Sequence, residues 1–308
     1  MADSRQLAVV GAGLMGGALA QLFSASGWRV RVADPDPAAR ARLPERLAAL
    51  RAAAGGAGAA ALGEVSTHSE LAAAVAGAEL VIEAAPEKPA LKQSIFAQLA
   101  RLSDPQAVLA TNTSVIPVAV VAEQVDDQAA QRVVGTHFWN PPELIPLVEV
   151  IQGPRTSLKA VERTMDWLRA VGKHPVHVRR DVVPGNRLQH ALWREAMALI
   201  DEGVCEPADI DAIIKNSFGL RLAVLGPLEN ADLVGLELTA DIHKVVLPQL
   251  SRAVTPSAGL LARLQAGARG ISSGAGFYPD WTEPKVAALR ARLVAHVKRL
   301  LEERSQTP

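Results

Sequence analysis

Over the first three-fifths of the chain, apolar residues come in short, nearly continuous runs. After that they come in helical stripes. Gln6–Val10 is the first run and predicts a buried strand. The hexapeptide GAGLMG follows at 11–16. Residues 18–26 have helical character that ends at Gly27, and residues 28–33 alternate apolar and basic side chains up to Asp34. Strand, glycine turn, helix, strand and acid together make a complete βαβ unit. Further strands are expected at 80–85, 107–110, Val133–Phe138, Leu147–Ile151 and 176–178. Helices are expected at 35–50, Pro89–Leu102 and 157–171. An Ala/Gly-rich filler at 52–63 shows no period and reads as a frayed helix end or a mobile loop.

The pattern changes at 179–185, beyond which no strand is expected. Leu188, Ala191, Leu192, Ala196, Leu199 and Ile200 form one helical stripe, and Val286, Leu289, Leu293, Val297 and Leu300 form another. The predicted class is α/β: a doubly wound, mostly parallel Rossmann-type sheet over 1–183, then an all-helical domain over 184–308.

Composition narrows the function. Among 308 residues, 32 Lys+Arg balance 32 Asp+Glu. A nucleic-acid or anionic-membrane surface would need a basic excess, so neither partner is expected. Cys205 is the single cysteine, which excludes an intrachain disulfide and fits a reducing, cytoplasmic compartment. No cysteine–histidine cluster points to zinc. His174 and His177 have no third ligand nearby and read as strand or surface residues. No apolar run is long enough to span a bilayer. The early first strand leaves no room for a signal or transit peptide.

The first βαβ unit carries a dinucleotide signature. Gly11 permits a tight turn, Gly13 lets backbone N–H groups approach a pyrophosphate, and Gly16 lets helix and strand pack closely. Leu14 and Met15 complete the loop. Asp34 would accept hydrogen bonds from the adenosine ribose and repel a 2′-phosphate, so NAD is expected rather than NADP. Arg29 and Arg31, in the same strand, temper that preference slightly.

Residues 132–151, RVVGTHFWNPPELIPLVEVI, carry the second signature. His137 ends one apolar run, a proline-rich reversal follows, and Glu149 lies inside the next run. A glutamate flanked by Val148 and Val150 is costly to bury without a partner, and His137 is near enough to supply one. Spacing alone leaves two readings open: a proton-transfer pair, or a structural histidine and a separate glutamate. Ser114 follows a strand end, where open α/β sheets bind ligands; turn formation is the competing reading. Asn186, after Pro184 and Gly185, fits a helix N-cap equally well.

Taken in order, these residues resemble the L-3-hydroxyacyl-CoA dehydrogenase family: the 11–16 loop, Asp34, NTS at 112–114, HFWN at 137–140, LVE at 147–149, NRL at 186–188 and GAGFY at 274–278. The resemblance implies that His137 takes the proton of a substrate C3 hydroxyl while hydride leaves for NAD, and that Glu149 orients His137. It implies that Ser114 and Asn186 bind the substrate oxygen. It also implies that Glu87 and Lys92 lie beside the cofactor ribose, that Asn140 belongs to the cofactor site, and that the helical domain closes the crevice and forms a homodimer contact.

The chain departs from the acyl-CoA pattern in one region. Between Asp34 and Leu80 it is shortened and has no lysine. Arg40, Arg42, Arg46 and Arg51 are the only cations left there to grip CoA phosphates. Residues 271–273, ISS, also lack the usual basic residue. Residues 140–149 and 218–227 resemble instead the branch acting on free small molecules, with gulonate 3-dehydrogenase (lambda-crystallin), carnitine dehydrogenase and a pyridoxine-degradation dehydrogenase. Arg221 is the candidate clamp for a substrate carboxylate; a surface arginine is the alternative. Three other readings stay open: a true 3-hydroxyacyl-CoA dehydrogenase, a non-catalytic NAD-binding crystallin-like protein, and a lysine-base dehydrogenase of the 3-hydroxyisobutyrate type. The last lacks a suitably placed lysine.

Overall fold

The computed structural model describes residues 5–53 and 63–306, so most of the Ala/Gly filler lies outside the described residues. The chain divides into two compact units, one through Pro184 and one from Gly185. In the first, the elements are β1 (Gln6–Val10), α1 (Leu14–Ala25), β2 (Arg29–Ala33), α2 (Pro37–Ala53), β3 (Val65–His68), α3 (Leu71–Val75), β4 (Leu80–Glu83), α4 (Pro89–Leu102), β5 (Val108–Thr111), α5 (Val118–Val121), α6 (Asp127–Ala130), β6 (Val133–Phe138), β7 (Leu147–Ile151), α7 (Leu158–Ala170) and β8 (His174–Val178).

The strands form one sheet in the order β3-β2-β1-β4-β5-β6-β7-β8. All pairs are parallel except β6–β7. The order reverses between β1 and β4, the switch point outside which ligands bind in open α/β sheets. Both faces of the sheet are covered, which explains the continuous apolar runs. Leu7 and Val9 of β1 join one core with Leu19, Phe23, Leu43 and Trp167. Ala8 and Val10 join the other with Phe96, Leu99 and Val121. Trp28 stands edge-on to Phe23 at 5.3 Å and to Trp167 at 6.0 Å, tying α1 to α7.

The edge strand β3 was not expected. Its four residues, VSTH, include no fully buried side chain and carry no apolar run to announce it. The short helices α3, α5 and α6 were missed for a similar reason: four or five residues are too few to show a helical period.

The second unit contains α8 (Pro184–Asp201), α9 (Pro207–Asn216), α10 (Phe218–Arg221), α11 (Pro227–Val234), α12 (Leu236–Val246), α13 (Ala258–Gln265) and α14 (Glu283–Gln306). Its described residues include two 3-10 turns and one isolated β-bridge, Gly270 to Ala275, but no strand. Ile210 and Val286 are its only buried apolar side chains among the described residues. The stripes on α8 and α14 leave Leu188 69% and Leu293 55% exposed.

The turn from β1 into α1 fixes the crevice and depends on two glycines. Gly11 has φ of 108°, and a Cβ on Gly16 would lie 1.8 Å from the Gly11 carbonyl oxygen. Gly16→Ala is therefore expected to cost about 1–3 kcal/mol through overpacking. That would lower the calorimetric midpoint by about 2–4 °C per kcal/mol. An unchanged midpoint would show that the turn relaxes freely.

Candidate active site

The antiparallel register of β6 and β7 sets His137 directly opposite Glu149. Facing residues of an antiparallel pair project to the same side of the sheet. Here His137 Nδ1 lies 2.7 Å from Glu149 Oε2, with the two residues 5% and 3% exposed. An ionised carboxylate accepts only, so Nδ1 carries the proton and Nε2 is left with its lone pair. That tautomer makes Nε2 a proton acceptor. Trp139 Nε1 donates to the same Oε2 at 3.2 Å.

A cavity of about 310 Å³ opens at this end of the sheet. Leu14 and Met15 enter it after β1, Ala84, Ala85 and Glu87 after β4, Asn112 and Ser114 after β5, and His137 through Asn140 at the end of β6. Four strands thus deliver their carboxyl ends to one crevice. Asn112 Oδ1 accepts from Phe138 N at 3.1 Å and holds two of those ends together.

The glycine loop fits a dinucleotide. Gly13 is the N-cap of α1 and supplies no side-chain cap, leaving the helix N-terminus available to an anion, and a Cβ on Gly13 would meet nothing within 4 Å. Asp34 ends β2 beside this loop: Oδ2 accepts from Ala12 N at 2.7 Å and Oδ1 from Asp36 N at 2.9 Å. Arg31, expected to weaken the NAD preference, turns away and donates to the carbonyls of Ala73 and Ala76.

Lys92 is only 1% exposed and does not line the cavity. Its Nζ donates to Glu83 Oε1 at 2.7 Å and Oε2 at 3.0 Å and lies 3.3 Å from Glu87 Oε2. Thr111 Oγ1 donates to Glu83 Oε2 at 2.8 Å. Lys92 is thus a support beneath Glu87 and not a wall of the site. Glu83 was missed by the sequence reading, although a glutamate closing the buried run 80–83 signals a buried partner as Glu149 does. Glu87 Oε1 accepts from Thr113 Oγ1 at 2.7 Å and from Ser114 N at 2.6 Å. Burial pushes the Glu87 carboxyl up, but these hydrogen bonds and the Lys92 charge outweigh it and hold the group below the ordinary glutamate range.

The turn after β5 is made by the Thr113 hydroxyl, which accepts from Ile116 N at 2.9 Å. Ser114 is half-buried on the cavity wall. Asn186 lies in the first turn of α8, two residues after its start at Pro184. Arg221 ends α10 and is exposed. The two belong to the second unit.

Three of the four α2 arginines donate within the protein. Arg40 donates to Asp34 O at 2.5 Å, Arg46 to Ala12 O at 2.6 Å and Arg51 to Gln21 Oε1 at 2.9 Å, while Arg42 lies 3.9 Å from Asp36. His174 is exposed on β8, and His177 Nε2 lies 3.1 Å from Gln152 Oε1. No group of three metal-ligating side chains occurs among the described residues, and no described helix is long and apolar enough to cross a membrane.

Comparison with known proteins agrees with this geometry. Residues 6–182 match the family model described as 3-hydroxyacyl-CoA dehydrogenase, NAD binding domain, and residues 184–280 match the C-terminal domain of the same family. The chain is 33% identical over 310 residues to 5-formyl-3-hydroxy-2-methylpyridine 4-carboxylate 5-dehydrogenase of Mesorhizobium japonicum, covering 97% of this chain and 99% of the relative. It is 38% identical over 271 residues to L-carnitine dehydrogenase of Streptomyces griseus, covering 82% and 80%. A solved structure of the pyridine-carboxylate enzyme, described as an NAD+ dependent dismutase, superposes with a TM-score of 0.88 at 32% identity, covering 97% of this chain and 99% of that one.

The reversal between His137 and Glu149 rests on Lys173. Its ammonium donates to the carbonyl oxygens of Pro142 and, at 3.0 Å, of Ile145. Burial lowers its pKa from 10.5 to about 8, against a smaller opposing pull from Glu143. Between these values the unfolded chain binds the extra proton, so stability rises with pH across the window. Urea unfolding of wild type relative to Lys173→Met is expected to gain about 2 kcal/mol from pH 8 to pH 10. A flat or falling difference would contradict the assignment.

Proposed function

The chain belongs to the 3-hydroxyacyl-CoA dehydrogenase family and is an NAD-dependent dehydrogenase acting on a hydroxyl group; within that frame we propose that it oxidises the C3 hydroxyl of a free, carboxylate-bearing hydroxy acid, with His137 as the base. The observation that carries this reading is the buried His137–Glu149 contact of 2.7 Å at the crevice end of the sheet. NAD, when bound, supplies the hydride acceptor. His137 Nε2 takes the hydroxyl proton, and Glu149 holds the opposite nitrogen and stabilises the imidazolium that forms. In reduction the same nitrogen returns the proton. The glycine loop and Asp34 are assigned to the pyrophosphate and the adenosine ribose, with Glu87 and Asn140 on the cofactor side. Lys92 acts by keeping Glu87 in place. Ser114 and Asn186 are assigned to the substrate oxygen, and Arg221 to the substrate carboxylate.

The absence of CoA from the substrate is supported by α2. No lysine lies between Asp34 and Leu80, and three of the four arginines there, Arg40, Arg46 and Arg51, already donate to acceptors within the protein. One relative acts on a pyridine carboxylate and another on carnitine. We also assign the exposed apolar stripes of the second unit to a homodimer contact. Leu228 at 81% and Leu233 at 72% exposure are costly to leave in water. The one cysteine fits a cytoplasmic setting.

Three measurements test the reading. His137→Gln is expected to cut turnover by about 10²–10⁴-fold with NAD affinity nearly intact; near-normal turnover would remove His137 as the base. A panel following NADH should favour free 3-hydroxy acids, including gulonate and carnitine, over acetoacetyl-CoA reduction. Arg221→Met should then raise KM for the best acid about tenfold or more, the contribution of a charge-assisted contact. Preference for the CoA thioester would establish the acyl-CoA reading instead.

A further inference from the structure

We propose that Trp139 is a positioning residue of the proton-transfer pair: its indole N–H holds the Glu149 carboxylate and draws negative charge away from the oxygen that faces His137 Nδ1. The inference rests on the assignment of His137 as base. Trp139 lies one residue beyond the end of β6, two residues after His137, and its ring meets the imidazole. Glu149, directly opposite His137 on β7, is within reach of a long aromatic side chain there. Both donors meet one oxygen: Glu149 Oε2 lies 2.7 Å from His137 Nδ1 and 3.2 Å from Trp139 Nε1. The indole ring also lies tilted against the imidazole, with centroids 5.5 Å apart and planes at 56°, and it lines the same cavity.

The chemistry follows from what each group can do. An indole N–H only donates, so the direction of this hydrogen bond is fixed at every pH. A donor to a carboxylate stabilises the anion and draws negative charge away from the oxygen shared with His137. With two donors on Oε2 the carboxylate is held against rotation, and His137 Nδ1 keeps its partner through the catalytic cycle. Without the indole donor, Oε2 would keep more of its negative charge toward His137, and the imidazolium would be stabilised more strongly. A phenylalanine at this position would fill the same wall without the N–H.

The experiment is an NMR titration of the His137 ring in cofactor-free protein, comparing wild type, Trp139→Phe, Glu149→Gln and the double variant. Trp139→Phe is expected to raise the His137 midpoint by about half a pH unit or more. It should also move the acidic limb of kcat/KM in the same direction and lower kcat several-fold, with NAD affinity unchanged. In the Glu149→Gln background the Trp139→Phe shift should vanish, because the effect passes through the carboxylate. A midpoint unmoved or lowered in Trp139→Phe overturns the inference. So does a shift of equal size in both backgrounds, which would place the effect in the direct ring contact. A failure of His137→Gln to reduce turnover is a separate result: it removes the base assignment, whereas the titration reports on the hydrogen bond whatever the enzyme's activity.

Discussion

A charged carboxylate inside an apolar strand sets the terms for this crevice. Glu149 lies between Val148 and Val150, both fully buried, and is itself 3% exposed. Such a group persists only where donors replace the water it has lost. The antiparallel insertion of β7 next to β6 supplies them, because it alone sets Glu149 against the carboxyl end of a strand whose other neighbour runs parallel. The proline-rich reversal and the Lys173 ammonium beneath it hold that insertion in register.

The sheet solves the same problem twice, with different outcomes. Glu83 at the end of β4 is fully buried and is met by the Lys92 ammonium and the Thr111 hydroxyl. An imidazole exchanges its proton near neutral pH, so the pair on β6 and β7 suits proton transfer. An ammonium held by two carboxylates and the Ala85 carbonyl has no such freedom, and the β4 cluster acts as scaffolding. Through Glu87 that scaffold reaches Thr113 and Ser114 and ties the loops after β4 and β5 together.

Much of this arrangement is legible in the amino-acid pattern, for identifiable reasons. A strand covered on both faces must be apolar throughout, so β1, β4, β5, β6 and β7 stand out as continuous runs. The polar edge strand β3 has no such obligation. Glu149 betrays a partner because it interrupts its run, and the same reasoning applied to residue 83 would have exposed the Lys92 cluster. Trp139 was open to discovery as an indole N–H donor two residues on from His137. The arginines of α2 were not: whether Arg46 reaches outward or folds back to the Ala12 carbonyl depends on how α2 lies over α1, and composition carries no trace of that.

The closeness of base and acid along the chain has a corollary. His137, Trp139 and Glu149 fall within one stretch of thirteen consecutive positions, 137–149, and their mutual contacts need no residue from beyond Pro184. The cluster is therefore encoded in a single short segment, with His137 and Glu149 set against each other by strand register.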